Sequence, residues 1–301
     1  MCVKPCRPNC LLFDLVRTDR VSTIRQNDLI ESIAEAYQLI NRQCPSDYKK
    51  ALEEAVVREV NPRRRDIVQK FLMRCAKAPS DGSLIHVNPE MAIVFMRVGQ
   101  DVRWSGFTGT LKEAVHEGIA RACSNLEVLP SAKTVPVFVH WSLVPGEQLE
   151  IKVAARSAEA ESRTRLVMMD PKKSIADVVV SEVELFKSEF QTPVVLGIGS
   201  AGTSEKAVLT ARECLFDPIN MEELQNRGPQ TTVENLRTEI FHRINGQSAT
   251  SDGAIRTPVL DVKIRLAAAT VSVKPVCLMF ETDVARRIRF VMDGSGPVFF
   301  D

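Results

Sequence analysis

Apolar positions follow a helical period over the first quarter of this chain and a strand period in several later stretches. From about Asn27 to Ala78 the pattern is helical, with Leu29, Ile33, Tyr37 and Ile40 on one stripe. Ser46 is placed to cap a second helix carrying Leu52, Val56 and Val60. Asn61-Pro62 opens a third, whose buried face is Ile67, Phe71, Leu72 and Cys75. Met91 to Val98 is a dense apolar run that reads as a strand. Thr110-x-x-Glu113 is a capping box that opens a helix to about Cys123. Val135–Val144 and Gln148–Ala155 read as two strands joined at Pro145-Gly146 in a hairpin. Ser174 opens a helix through Phe186, and Val194–Leu196 is a short buried strand. Thr203 or Ser204 then caps a helix to about Phe216. Thr231 or Thr232 starts another, with Leu236, Ile240, Phe241 and Ile244 inward and Gly246 at its end. Leu260, Val262, Ile264 and Leu266 alternate with Asp261, Lys263 and Arg265, the mark of a half-buried strand, and Val271–Phe280 is a further strand.

This order predicts an α/β protein: an N-terminal helical region followed by a mixed-sheet α/β domain. The expected organisation is a flexible leader over 1–26, one domain over 27–290 and a tail over 291–301. The chain has 301 residues and a net charge of +1, so no global field favours nucleic acid or a membrane surface. No apolar run is long enough to span a bilayer, and the N-terminus lacks the apolar core of a secretory signal. A cytoplasmic location is the expectation. Of eight cysteines, five stand singly on helix or strand patterns. Cys2, Cys6 and Cys10 form C-x3-C-x3-C, a spacing that fits no zinc or radical-enzyme pattern and reads first as a frayed terminus.

Between strand and helix lies Gly197-x-Gly199-x-x-Gly202-Thr203. As letters this is the dinucleotide fingerprint, and glycines ahead of a helix start suit an anion. A nicotinamide site also needs a second strand ending in an acidic residue about 20 residues on. Here the helix runs into Phe216-Asp-Pro-Ile-Asn, and the upstream strands read as a hairpin, so the nucleotide reading is set aside.

Several blocks, in order, resemble the α subunit, or N-terminal half, of the iron–sulphur class I fumarases and L-tartrate dehydratases. They are Met91-Ala-Ile-Val-Phe-x-x-Val-Gly-Gln-Asp101, Leu111-x-Glu-Ala-Val-x-Glu-Gly118, Val144-Pro-Gly-Glu-x-Leu149 and Gly197-x-Gly-x-x-Gly-Thr-x-Glu-Lys-Ala207. The likeness runs from about Asn27 to about Arg287. It implies the α-type domain of that hydro-lyase family and a 4Fe-4S cluster on three cysteines. The open iron of that cluster acts as a Lewis acid in reversible hydration of a small dicarboxylate such as fumarate or tartrate. It also implies a β-subunit-like partner that supplies the other wall of the site.

The same resemblance exposes a loss. The family's cluster cysteines fall on His86, Gln191 and Thr282, its substrate-contacting aspartate on Asn88, and its polar-loop glutamate on Glu161. No arginine stands near Glu127–Leu129, where a substrate arginine is expected. Glutamine and threonine are poor ligands for soft iron, so no cluster is expected. His86, Asn88 and Glu161 remain candidate catalytic residues, and Gly197, Gly199, Gly202 and Thr203 candidate ligand contacts. His86 with Asn88, Glu90 and Asp283 is the one polar group that suits a hard divalent metal. His140 and His242 read as structural. The run Arg286, Arg287, Arg289 reads first as surface or partner-facing and second as facing an anion. So does Arg63–Arg65 as a solvated face before a phosphate site.

The expectation is a divergent, cluster-less and non-catalytic relative that works by subunit pairing or by binding an anionic metabolite. The alternative is an active hydro-lyase with a β-subunit partner and an altered metal site using His86, Glu161 and Thr203. A third reading is a purely structural interaction protein with the Cys2–Cys6–Cys10 leader as a redox or docking element.

Overall fold

The computed structural model describes residues 22–85, 91–126, 135–186, 192–248, 257–268, 272–281 and 286–300. Three helices come first: α1 (Gln26–Arg42), α2 (Ser46–Arg58) and α3 (Pro62–Asp81). α1 buries the expected stripe of Leu29, Ile33, Tyr37 and Ile40. Asn61 caps α3 by accepting the N–H groups of Arg63 and Arg64 at 3.0 and 3.4 Å. Pro62 takes the first helical position, where a missing N–H is harmless. Ser46 is not a cap: it is the first residue of α2, and Pro45 precedes it.

A five-stranded sheet follows, built around β2 (Met91–Gly99). β4 (Val137–Val144) and β5 (Leu149–Arg156) flank it, and β10 (Arg287–Met292) and β11 (Pro297–Phe300) extend it in the order β11-β10-β5-β2-β4. β2 runs parallel to β4 and antiparallel to β5. The expected hairpin is therefore corrected: β4 and β5 lie on either side of β2 and do not pair with each other. Their connection arches over the end of β2. Gly99 donates to the Gln148 carbonyl at 2.9 Å, Gln100 to Val144 at 2.9 Å and Asp101 to Gly146 at 3.0 Å. A Cβ at Gly99 would stand 2.3 Å from the Gly146 oxygen, so only glycine lets the arch sit this low. The Val-Gly-Gln-Asp and Val-Pro-Gly-Glu blocks are two halves of this one clasp. Residues 297–300, read from sequence as tail, form the outer strand.

α4 (Leu111–Leu126) connects β2 to β4. Its capping box is present: Glu113 N–H donates to Thr110 Oγ1 at 3.2 Å, and Thr110 N–H donates to the Glu113 carboxylate at 2.6 Å. Gly118 lets α4 settle on α1, since a Cβ there would meet the Ile30 carbonyl and Ile33 at 2.8 Å. A short parallel pair, β1 (Thr23–Arg25) with β3 (Arg103–Ser105), closes this end.

The second sheet has the order β6-β9-β7-β8, from β6 (Arg165–Met169), β7 (Val194–Ser200), β8 (Val259–Leu266) and β9 (Lys274–Glu281). β7 and β8 are parallel neighbours. The crossover between them passes through α7 (Ser204–Leu215), α8 (Met221–Arg227) and α9 (Thr232–Ser248). A parallel partner for the glycine strand thus exists, but it arrives three helices later rather than directly after α7. α9 continues to Ser248, so Gly246 lies inside the helix rather than at its end. α6 (Ile175–Phe186) and α9 cover one face, with Val179, Val183, Ile240 and Ile244 packed on Leu196, Ile198 and Val262. α7 covers the other face and lies between the sheets: Val195, Ala211 and Met279 share one core with Ile93, Phe95 and Ala154. Burying both faces changes β8. Asp261 and Lys263, expected in solvent, are 0% and 4% exposed, and they pair with each other at 2.7 Å.

Candidate functional site

The glycine strand shows first why its residues are small. A Cβ on Gly199 would lie 2.2 Å from the Ala207 carbonyl, and one on Gly197 2.7 Å from that of Ala211. Both glycines are pressed against α7, and that close approach accounts for them without a ligand. Thr203, at the start of α7, is exposed and makes no side-chain cap. It lies roughly 14 Å along the helix from Arg212, at a 1.5 Å rise per residue.

The chemistry of this region centres on Arg156, the last residue of β5, whose side chain is fully buried. Its Nε donates to Glu161 Oε2 at 3.1 Å and its Nη1 to Glu281 Oε2 at 3.1 Å. Its Nη2 donates to the carbonyls of Ala160 at 3.0 Å and Phe280 at 3.2 Å. Glu161 is carried by α5 (Ala158–Ser162), which Ser157 opens by accepting the Ala160 N–H at 3.2 Å. Glu281 ends β9. Arg212, on α7, takes the other oxygen of Glu161. Two guanidinium groups and two carboxylates therefore tie β5, α5, α7 and β9 together.

Such an arrangement holds protons in place rather than moving them. Burial pushes the Glu161 carboxyl up, but hydrogen bonds and charge from Arg212 and Arg156 outweigh it and hold the group below the ordinary glutamate range. A carboxylate kept ionised between two guanidinium groups is a poor general acid near neutral pH. Asp217 behaves alike: burial opposes ionisation, and Lys152 and Arg265 override it. Because both folded-state values are depressed, their contribution to stability is complete above the unfolded carboxyl range. It is lost as pH falls through the folded values. The unfolding midpoint should be nearly flat between about pH 6 and 7 and should fall steadily below about pH 4. Glu161→Gln should shallow that fall; a midpoint that climbs on acidification contradicts the assignment.

The sulphur atoms nearby are structural. Burial pushes the Cys277 thiol up to about 12, against the pull of Arg212, and does the same to Cys214. Cys44 and Cys75 share a thiol hydrogen bond that raises the first and lowers the second. His140 stacks on Phe95 with ring centroids 4.9 Å apart, and burial, then Arg212, lowers its pKa. His242 is exposed on α9. Among the described residues, no three His, Cys, Asp or Glu side chains converge on one point.

His86, Asn88, Glu90, Gln191, Thr282 and Asp283 lie outside the described residues, as do Cys2, Cys6 and Cys10. One neighbour of each position that the resemblance assigns to a cluster thiolate is described: Ile85, Thr192 and Glu281. Ile85 and Val195 belong to one core, and Glu281 pairs in register with Val195. An imidazole, an amide and a hydroxyl do not make the donor set of a cubane iron–sulphur cluster. The arginines of the network escaped the sequence reading. Arg156 meets Glu281 across 125 positions of chain, and only the fold joins them.

The likeness read from the motifs is matched by comparison with known proteins. Residues 30–291 match the family described as fumarate hydratase (Fumerase). A relative from Methanocaldococcus jannaschii, described as "Putative L(+)-tartrate dehydratase subunit alpha", is 22% identical, covering 81% of this chain and 90% of the relative. No helix among the described residues is long and apolar enough to cross a membrane. The blocks at Gly99, Gly118 and Gly197–Gly199 sit where helices and the clasp approach most closely, and the match spans most of the chain: this protein belongs to the fumarate hydratase (Fumerase) family.

Proposed function

We propose that this chain is a cluster-less, non-catalytic member of its family that acts by pairing with a β-type subunit or by binding an anionic metabolite. One observation carries this reading: the positions that the resemblance assigns to thiolates hold His86, Gln191 and Thr282. Support comes from Glu161, whose two carboxylate oxygens are both engaged by arginines. Pairing is further supported by the relative's designation as an alpha subunit. It is also supported by the open edge of the first sheet. Among the described residues β4 pairs with no strand on its outer side, and it exposes Phe138, Trp141 and Leu143 at 50%, 61% and 73%. An unprotected strand edge bearing large apolar side chains favours a second chain.

Co-expression with a β-type subunit tests the pairing. The two chains should co-purify as a stoichiometric complex, and Phe138→Lys with Trp141→Lys should abolish it while leaving the unfolding midpoint of the α-type chain nearly unchanged. A complex indifferent to both substitutions would exclude this edge. Turnover of fumarate or tartrate by the pair would return the chain to the active hydro-lyases.

A further inference from the structure

β10 alternates Arg287-Ile288-Arg289-Phe290-Val291-Met292, with Phe290 and Met292 in the core shared with α1. Arg287 and Arg289 therefore point the other way, toward α7 and the second sheet. By register Arg289 lies opposite Lys152 on β5, and Glu150 on β5 lies opposite Arg97 on β2. Arg265 reaches in from β8. These side chains line a cleft of about 330 Å³, together with Phe216 and Pro218. A small-molecule site is commonly of this size or larger.

The charges in this cleft do not balance. Five cationic side chains share the lining with two carboxylates, Glu150 and Asp217, and two further carboxylates reach them from outside it, Glu213 on Arg265 at 3.0 Å and Asp47 on Arg287. Asp217 is shared by Lys152 at 2.6 Å and Arg265 at 2.8 Å. Glu150 accepts from Arg289 Nε at 2.9 Å, while Arg97 stands at 3.8 Å, beyond hydrogen-bond reach. Arg287 is turned partly toward Asp47, outside the cleft, and its buried Nε has no hydrogen-bond partner. Arg97 and Arg289 keep 48% and 40% of their side-chain surface in solvent. Donors thus remain unspent on Arg97 at the mouth and at the buried Nε of Arg287 in the floor, while Lys152 and Arg265 are already engaged by carboxylates.

We propose that this cleft between β2, β5, β10 and the end of α7 binds a small dianion. Arg97 and Arg289 grip one end, and the Lys152–Arg265–Arg287 floor holds the other. The inference extends the binding role proposed above, and places it away from the Gly197–Thr203 loop.

Full-length protein titrated calorimetrically at low salt with succinate, inorganic phosphate and acetate tests the proposal. Saturable binding of succinate, phosphate or both is expected, with acetate at least about tenfold weaker, as loss of one charge-assisted pair implies. The two dianions separate a dicarboxylate from a phosphate ligand. Arg97→Gln and Arg289→Gln should each weaken binding about tenfold without shifting the unfolding midpoint, and Thr203→Ala should leave it unchanged. Absence of saturable dianion binding overturns the proposal. So does wild-type affinity in the Arg97→Gln, Arg289→Gln double variant, or acetate binding as tightly as the dianions. A cluster found in the purified protein would refute the cluster-less reading but would not alter these titrations.

Discussion

Arg156→Met should be the most damaging single change in the described fold, lowering stability by about 3–5 kcal/mol. The residue is fully buried and makes four hydrogen bonds to two chain segments, Ala160–Glu161 on α5 and Phe280–Glu281 at the end of β9. Removing the guanidinium takes the buried Arg156 charge away from the Glu281 carboxylate, which is 4% exposed. It also strips donors from the carbonyls of Ala160 and Phe280, where an unmade buried bond has its own penalty. A domain of this size is stable by roughly 5–15 kcal/mol, so the variant should be poorly soluble or unfold far below the parent. Arg156→Lys should fail nearly as badly, because an ammonium cannot reproduce the planar fork. The double variant Arg156→Met, Glu281→Met should recover much of the loss, since a buried pair replaced by apolar groups is often tolerated. Chemical denaturation of the four proteins decides the matter. A single variant within about 1 kcal/mol of the parent would mean that the network does not hold β5, α5 and β9 together.

How much of this was legible in the sequence differs sharply between framework and site. Local signals carried the framework. The Thr110–Glu113 box, the Asn61-Pro62 start and the 91–98 apolar run all became the elements they announced. Pairing did not follow from local signals. Pro145-Gly146 reads as a hairpin turn, yet the strands on either side of it are separated by β2. A turn sequence fixes chain direction and leaves open which strand fills the gap. The alternation in β8 was legible, but the solvent assigned to Asp261 and Lys263 was replaced by Arg237 and Asn220 from other elements. Arg156 and Arg212 were invisible for the same reason: each meets its partner through the fold, and a lone arginine in a strand or helix announces nothing. The glycine fingerprint was legible as letters, and its structural content is helix-on-strand packing at Gly197 and Gly199. His86, Gln191 and Thr282 lie outside the described residues; near them, Ile85 and Val195 share one core and Glu281 pairs in register with Val195.

The second large effect is all-or-none and concerns iron. A four-iron cluster is held by anionic thiolates, and each lost thiolate removes both charge and a soft ligand. At the three positions that the resemblance assigns to thiolates the chain has an imidazole, an amide and a hydroxyl, from His86, Gln191 and Thr282. The described thiols nearest in chemistry, Cys214 and Cys277, are buried with raised pKa values and keep their protons, so they are poor substitutes. Expression with added iron should therefore not load this chain, with or without a β-type partner.

The direct measurement is iron and acid-labile sulphide per chain, with a visible spectrum, after strictly anaerobic purification. The prediction is a colourless protein with iron and sulphide at background. A brown protein carrying close to four of each per chain, with the broad charge-transfer absorption of thiolate-bound iron, would contradict it.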